Sequence, residues 1–217
     1  MDGLFAQLTA AGQEVPANPF ATHPNEDPDH LAARQARLDY ATRAQEIRDS
    51  RVWSEDHKAE KLAELWQAHA AEVAEAYGRV QARRQTRLDY LNSLVPSGPG
   101  VPDDVSPADR AVLVAAFRAA MDRVQGASKA ERRQILAEAE RYGDDSLHRA
   151  VLQHATQSGD TGLVADWVAR THQVADWAGE RRQLSNALAD RPFKSGWDYK
   201  DFATPAVPPE VAAAVTA

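Results

Sequence analysis

Apolar residues recur at steps of three and four through most of this chain, the spacing that gathers them onto one face of an α-helix. The clearest run is Leu62, Trp66, His69, Val73, Tyr77, Val80, Leu88, Leu91 and Val95. Ser54, followed by Glu55 and Asp56, places a capping hydroxyl and first-turn acids at its start. The pattern predicts one helix of roughly 40 residues, ~60 Å long. A helix that long outruns a small core, so it must pair with another helix or project into a partner. Upstream, Asp27 and Pro28 form an N-cap and first-position pair, and Leu31, Leu38 and Ile47 predict a helix to about Arg51. Val52-Trp53 marks the joint. Residues 28–95 are therefore expected to form a long helical hairpin.

Pro96-Ser97-Gly98-Pro99-Gly100-Val101-Pro102 is the sharpest break, and 96–106 is expected to be a linker. Ser106-Pro107 with Asp109 restarts helix, with Leu113, Phe117, Ala120, Met121 and Val124 as its core stripe. Ser128-Lys129-Ala130-Glu131 matches a capping box, and the next helix would bury Ile135, Leu136, Ala139 and Tyr142. A shorter helix carries Leu147, Val151 and Ala155. Leu163, Trp167, Val174, Trp177, Leu184 and Leu188 predict a single last helix reaching about Asp190. Gly126, Gly143 and Gly159 punctuate these helices about every seventeen residues, which gives only one unit of a tetratricopeptide-like period. A compact helical bundle over 107–190 is expected instead.

Two proline-rich stretches flank this body. Residues 1–27 carry Pro16, Pro19 and Pro24 after a short apolar face of Leu4, Phe5 and Leu8, and favour an extended arm that also holds Phe20. Residues 191–217 place Phe193, Trp197, Tyr199 and Phe202 within ten residues, without helical or strand periodicity, and then Pro205, Pro208 and Pro209. That much aromatic surface is expected to lie on something.

Composition sharpens the fold class to all-α. Hydrophobic residues make up 43% of the 217, yet alanine supplies much of this and isoleucine occurs only at Ile47 and Ile135, so strands are poorly supported. The net charge of −7 argues against a surface built wholly for nucleic acid. The absence of cysteine excludes disulfides, a thiolate nucleophile and Cys-containing zinc sites. Asp2 stands where a signal peptide would be basic, and no apolar run approaches a membrane span, so synthesis in the cytoplasm is expected.

Catalytic signatures are missing from the sequence: no Gly-rich phosphate loop, no nucleophile elbow and no H-E-x-x-H. No enzyme activity, cofactor or metal is expected. Asp145-x-x-His148 is an ordinary helix-surface pair, and His23 with His30 and the acids between them suits a solvated linker better than a metal site. Trp66, Trp167 and Trp177 fall at core spacing. Arg79, Arg83 and Arg87 share one stripe of the long helix, with Arg84 beside them. The stripe suits a solvated face first, an acidic partner next and nucleic acid last. Arg34-Gln35-Ala36-Arg37-Leu38-Asp39-Tyr40 returns as Arg84-Gln85-Thr86-Arg87-Leu88-Asp89-Tyr90, six identities in seven at an offset of fifty. Either both heptads present one Arg/Tyr surface to a repeated partner, or the echo is a coincidence in an arginine-rich chain. It does not extend to either side.

In overall build the chain resembles virion structural proteins of tailed phages with GC-rich hosts. The Ala/Arg-rich helical body of 28–190 and the Phe193-x-x-x-Trp197-x-Tyr199-x-x-Phe202 arm carry the resemblance. Head-to-tail connector adaptors of that group form a ring below the portal and hold the portal or next neck ring with extended termini. The resemblance thus implies a homo-oligomeric ring subunit in the virion, with Leu4, Phe5, Leu8, Phe20, Phe193, Trp197, Tyr199, Phe202, Arg79, Arg83 and Arg87 contacting neighbours. A capsid scaffolding or minor capsid role, or a cytoplasmic helical-repeat adaptor for peptides, are the alternatives.

Overall fold

A computed structural model describes residues 15–189 and 196–216, with side chains through Ala212. Leu4, Phe5, Leu8 and Phe193 lie outside the described residues. The architecture is all-α: nine helices and no strand among the described residues. They are α1 Pro28–Asp49, α2 Glu55–Ser93, α3 Pro107–Gln125, α4 Lys129–Tyr142, α5 Asp145–Gln157, α6 Thr161–His172, α7 Trp177–Ala189, α8 Gly196–Phe202 and α9 Pro209–Thr216. Two compact units divide the chain, one of Pro16–Arg87 with Leu184–Ala217 and one built on Leu88–Gln183. The division falls inside α2 and inside α7, and the Pro/Gly segment lies within the second unit.

In the first unit α1 and α2 form the expected hairpin. Asp27 caps α1 by accepting from the Asp29 and His30 amides, and Pro28 occupies a position whose missing N–H costs nothing. Ser54 Oγ accepts from the His57 amide at 3.3 Å to open α2. Small residues let the two helices approach: Ala33 and Ala36 of α1 meet Val73, Ala76 and Val80 of α2 in a buried layer, with Tyr77 packed against it. A Phe ring, Phe202, completes that layer from the chain's other end.

The second unit is a small bundle in which α5 is the most buried element. Leu147, Ala150, Val151, Leu152 and Ala155 are all interior, and α3, α4 and α6 pack around them. Ser128 and Glu131 complete the expected capping box, with Glu131 Oε2 accepting from the Ser128 amide at 2.7 Å. Gly100 is left-handed (φ 61°), a backbone conformation that favours glycine, and the Arg149 guanidinium lies close over it.

Four expectations are corrected. His148, expected on the helix surface, is 7% exposed and packs against Trp167 at 5.3 Å. The single last helix is two, because Gln173 turns left-handed (φ 58°) at the end of α6. Asp176 then caps α7 by accepting from the Gly179 amide at 3.1 Å. Neither glycine nor proline marks that break. Tyr142 is 75% exposed rather than core, since it ends α4 one residue before the chain reverses at Gly143 (φ 69°). The C-terminal stretch is not extended throughout: among its described residues α8 carries Trp197, Tyr199 and Phe202, 203–208 have no regular structure, and Pro209 opens α9.

Candidate functional site

A helix of seven residues has no stability of its own in water, where about 12 to 15 are needed even for good helix formers. What holds α8 is therefore the hairpin beneath it. Phe202, 1% exposed, enters the alanine and valine layer between α1 and α2, its ring 4.7 Å from His30 and 5.3 Å from Tyr77. Asp201 is equally buried and accepts from His30 Nδ1 at 2.8 Å and from Arg34 Nε and NH2 at 2.9 and 2.8 Å. Burial alone would push its carboxyl up. The hydrogen bonds and charges of Arg34 and His30 outweigh that and hold it below the usual carboxylate range. One turn earlier, Asp198 takes a two-pronged contact from Arg84 at 2.5 and 3.0 Å.

The echoed heptads supply these arginines. Arg34 and Arg84, first in each heptad, bind the two acids of α8, and Arg37 and Arg87, fourth in each, donate to backbone carbonyls. Arg37 reaches Lys200 O and Ala203 O, the latter at 3.0 Å, and so satisfies the open carbonyl end of α8. Arg87 donates to Pro16 O at 2.7 Å. Gln35 and Asp39 face outward and bond each other. Asp198 and Asp201, three residues apart on one helical turn, are the complementary half that the sequence reading did not single out. The signal was present in the pairing of two heptads with two evenly spaced acids.

The remaining site residues fall as follows. Trp197, 39% exposed, has the cations of Arg34 (5.6 Å) and Lys200 (4.6 Å) over its ring and meets His23 in an edge-to-face contact at 5.5 Å. Tyr199 is 52% exposed. Phe20 lies under the Arg84 guanidinium at 5.4 Å. The arginine stripe does meet acids, but they are the chain's own. Arg79 pairs with Asp29 at 2.7 Å and Glu75 at 2.8 Å, and Arg83 pairs with Asp27 at 2.7 Å and also with Asp29. Asp27 thus both caps α1 and, with Asp29, fixes α2 against it.

Further along, Trp66 Nε1 donates to Pro205 O at 3.0 Å, and Arg48 pairs with Glu210 of α9 at 2.8 Å. Trp197, Tyr199 and Phe202 belong to α8, which lies against the chain's own hairpin. The described C-terminal segment lies along its own hairpin, because the hairpin carries both an apolar slot and the matching cations. His30, expected with Asp27 and Asp29 in a solvated linker, is instead 4% exposed and bound to Asp201, and both acids are buried. Among the described residues no group of three His, Asp or Glu is placed to hold a metal ion, and no helix is long and apolar enough to cross a membrane.

In the bundle unit, an opening of about 480 Å³ is lined by Val95, Pro96, Gln153, Thr156, Trp177 and Arg181, among others. Arg181 lies over the Trp177 ring at 5.5 Å and donates to Asn92 Oδ1 at 2.7 Å, while Trp177 Nε1 donates to Leu91 O at 2.8 Å. Comparison with protein families, characterised proteins and solved structures finds no match to this chain.

Proposed function

We propose that this chain is a structural component of a larger assembly, working through protein–protein contact rather than catalysis, and that the assembly is a tailed-phage particle with the chain as a head-to-tail connector ring subunit. The observation that carries the structural half is the groove. Arg34, Arg37, Arg84 and Arg87, with His30 and an alanine-floored slot, are committed to gripping a short acidic-aromatic helix and the chain's extended ends. Chemistry of that kind fixes polypeptide segments in place. The virion half rests on the sequence build: a long Ala/Arg-rich helical body with aromatic termini. Scaffolding and minor capsid roles use the same surfaces and differ in copy number.

The test is to image purified particles and quantify the chain in them by mass spectrometry. Ring-level copy number with density at the neck is expected for a connector. Absence of the chain from mature and immature particles alike overturns the reading.

The second reading, a helical adaptor that binds an extended peptide, is favoured by the opening beside Trp177 and Arg181. It requires the full chain to bind peptides saturably and Arg181→Ala to weaken that binding.

A further inference from the structure

We infer that the hairpin groove is a receptor for the C-terminal Asp-x-x-Asp-Phe helix of a second copy of this chain, so that copies link by exchanging α8. This rests on the assembly reading above and names the contact through which it would occur. Three observations carry it. First, the contact is modular: the acids and ring that enter the groove belong to one seven-residue helix, and their partners all belong to α1 and α2. Nothing in that chemistry distinguishes the chain's own α8 from an identical one on a neighbour.

Second, the complementarity is specific. Asp198 and Asp201 stand one turn apart opposite Arg84 and Arg34, and Phe202 fills a slot that the small side chains of Ala33, Ala36 and Ala76 leave open. A partner must present two carboxylates three residues apart and an aromatic ring beside the second. Residues 198–202 of this chain carry that pattern. Third, the groove is ill-suited to standing empty. Losing α8 would expose the apolar slot and leave Arg34, Arg84 and His30 without their carboxylates, so a displaced helix is best replaced by another of the same chemistry.

Whether α8 closes on its own hairpin or on a neighbour's is then set by effective concentration. A free chain favours closure on itself, and copies held side by side in a ring favour exchange. The exposed Trp197 and Tyr199 faces of α8 remain on the outside in either arrangement.

The experiment uses two full-length variants. One carries Arg34→Glu and Arg84→Glu, which spoils the groove and keeps the helix. The other carries Asp198→Lys and Asp201→Lys, which spoils the helix and keeps the groove. Circular dichroism checks that each retains its helix content. Light scattering after size exclusion is expected to give single-chain mass, 23.8 kDa, for each alone and twice that for the mixture. Single-chain mass for the mixture at concentrations near 100 μM overturns the inference.

Should either variant fail to fold, a labelled peptide of residues 196–212 is titrated against full-length Asp201→Ala. Saturable binding, at least tenfold weaker when the peptide carries Phe202→Ala, is expected. No binding, or no dependence on Phe202, overturns the inference. Such a failure leaves the assembly reading intact, because that stands or falls on the particle measurement. Absence from particles with a positive exchange result would instead retire the virion reading alone.

Discussion

Replacing Phe202 with alanine removes the one large side chain that joins α8 to the hairpin core. The ring is 1% exposed and packed among Ala33, Ala36, Val73, Ala76, Val80 and Tyr77. Burial of such a side chain contributes about 1.5 to 3 kcal/mol, and truncation adds a cavity cost, so Phe→Ala in a well-packed site costs about 3 to 5 kcal/mol. Relaxation here is restricted on the hairpin side, where alanines have no side-chain length with which to refill the slot. The upper half of that range is expected if α8 stays seated by its ion pairs, and the lower half if it detaches and the slot hydrates. Hydrogen–deuterium exchange separates these outcomes by locating the loss. Protection of the amides of 200–203, which bond within α8, should fall by two or more orders of magnitude if it detaches, while α5 of the bundle keeps its protection. Denaturant unfolding gives the total. A change below about 1 kcal/mol with unaltered exchange in α8 would refute the packing argument.

Two further perturbations bear on other parts of the account. Trp167, 4% exposed and edge-on to His148 and His172 at 5.3 Å, anchors the bundle, so Trp167→Ala should cost about 3 to 5 kcal/mol by denaturant unfolding and leave exchange in α8 unchanged. Acid should destabilise the chain in two stages. Burial holds His69, His148 and His172 below the ordinary histidine range, with the Arg37 charge adding to the effect at His69 and Glu72 opposing it. The unfolded state therefore binds more protons as pH falls below about 6.5, and stability declines from there. The Asp201 contribution, present above the unfolded carboxylate value near 4, is lost at lower pH as its depressed native value is passed. His69 stacks on Tyr40 at 4.8 Å with neither ring nitrogen hydrogen-bonded. His69→Phe should thus flatten the first stage in thermal melts between pH 7 and 5 without loss at pH 7. An unchanged slope would count against the burial argument.

The hairpin was legible because its determinants are local. Asp27-Pro28, Ser54 with its acids and the three-four stripe of α2 specify ends and faces without knowledge of distant contacts. The capping box at Ser128 is of the same kind. The break at Gln173 was hidden, since a left-handed glutamine leaves no mark in composition and the apolar spacing from Trp167 through Val174 to Trp177 continues across it. The site was hidden for a different reason. Arg79, Arg83 and Arg87 read as an outward stripe because their partners, Asp27, Asp29 and the Pro16 carbonyl, lie some fifty to seventy residues away in sequence. Asp198 and Asp201 looked like solvated charges in an irregular aromatic tail, as no periodicity in 191–202 announces a helix too short to be stable alone. The heptad echo was the one long-range clue. Its meaning lay in what the first and fourth arginines grip rather than in a repeated fold.

The most direct test of the clasp is a double-mutant cycle on Arg34 and Asp201 in the full-length chain, using Arg34→Ala, Asp201→Ala and the pair, with stability read from denaturant unfolding at pH 7. Charge-assisted hydrogen bonds to a buried carboxylate are expected to give a coupling energy of about 1.5 to 3 kcal/mol. A coupling indistinguishable from zero would mean that α8 does not rest in the groove formed by α1 and α2.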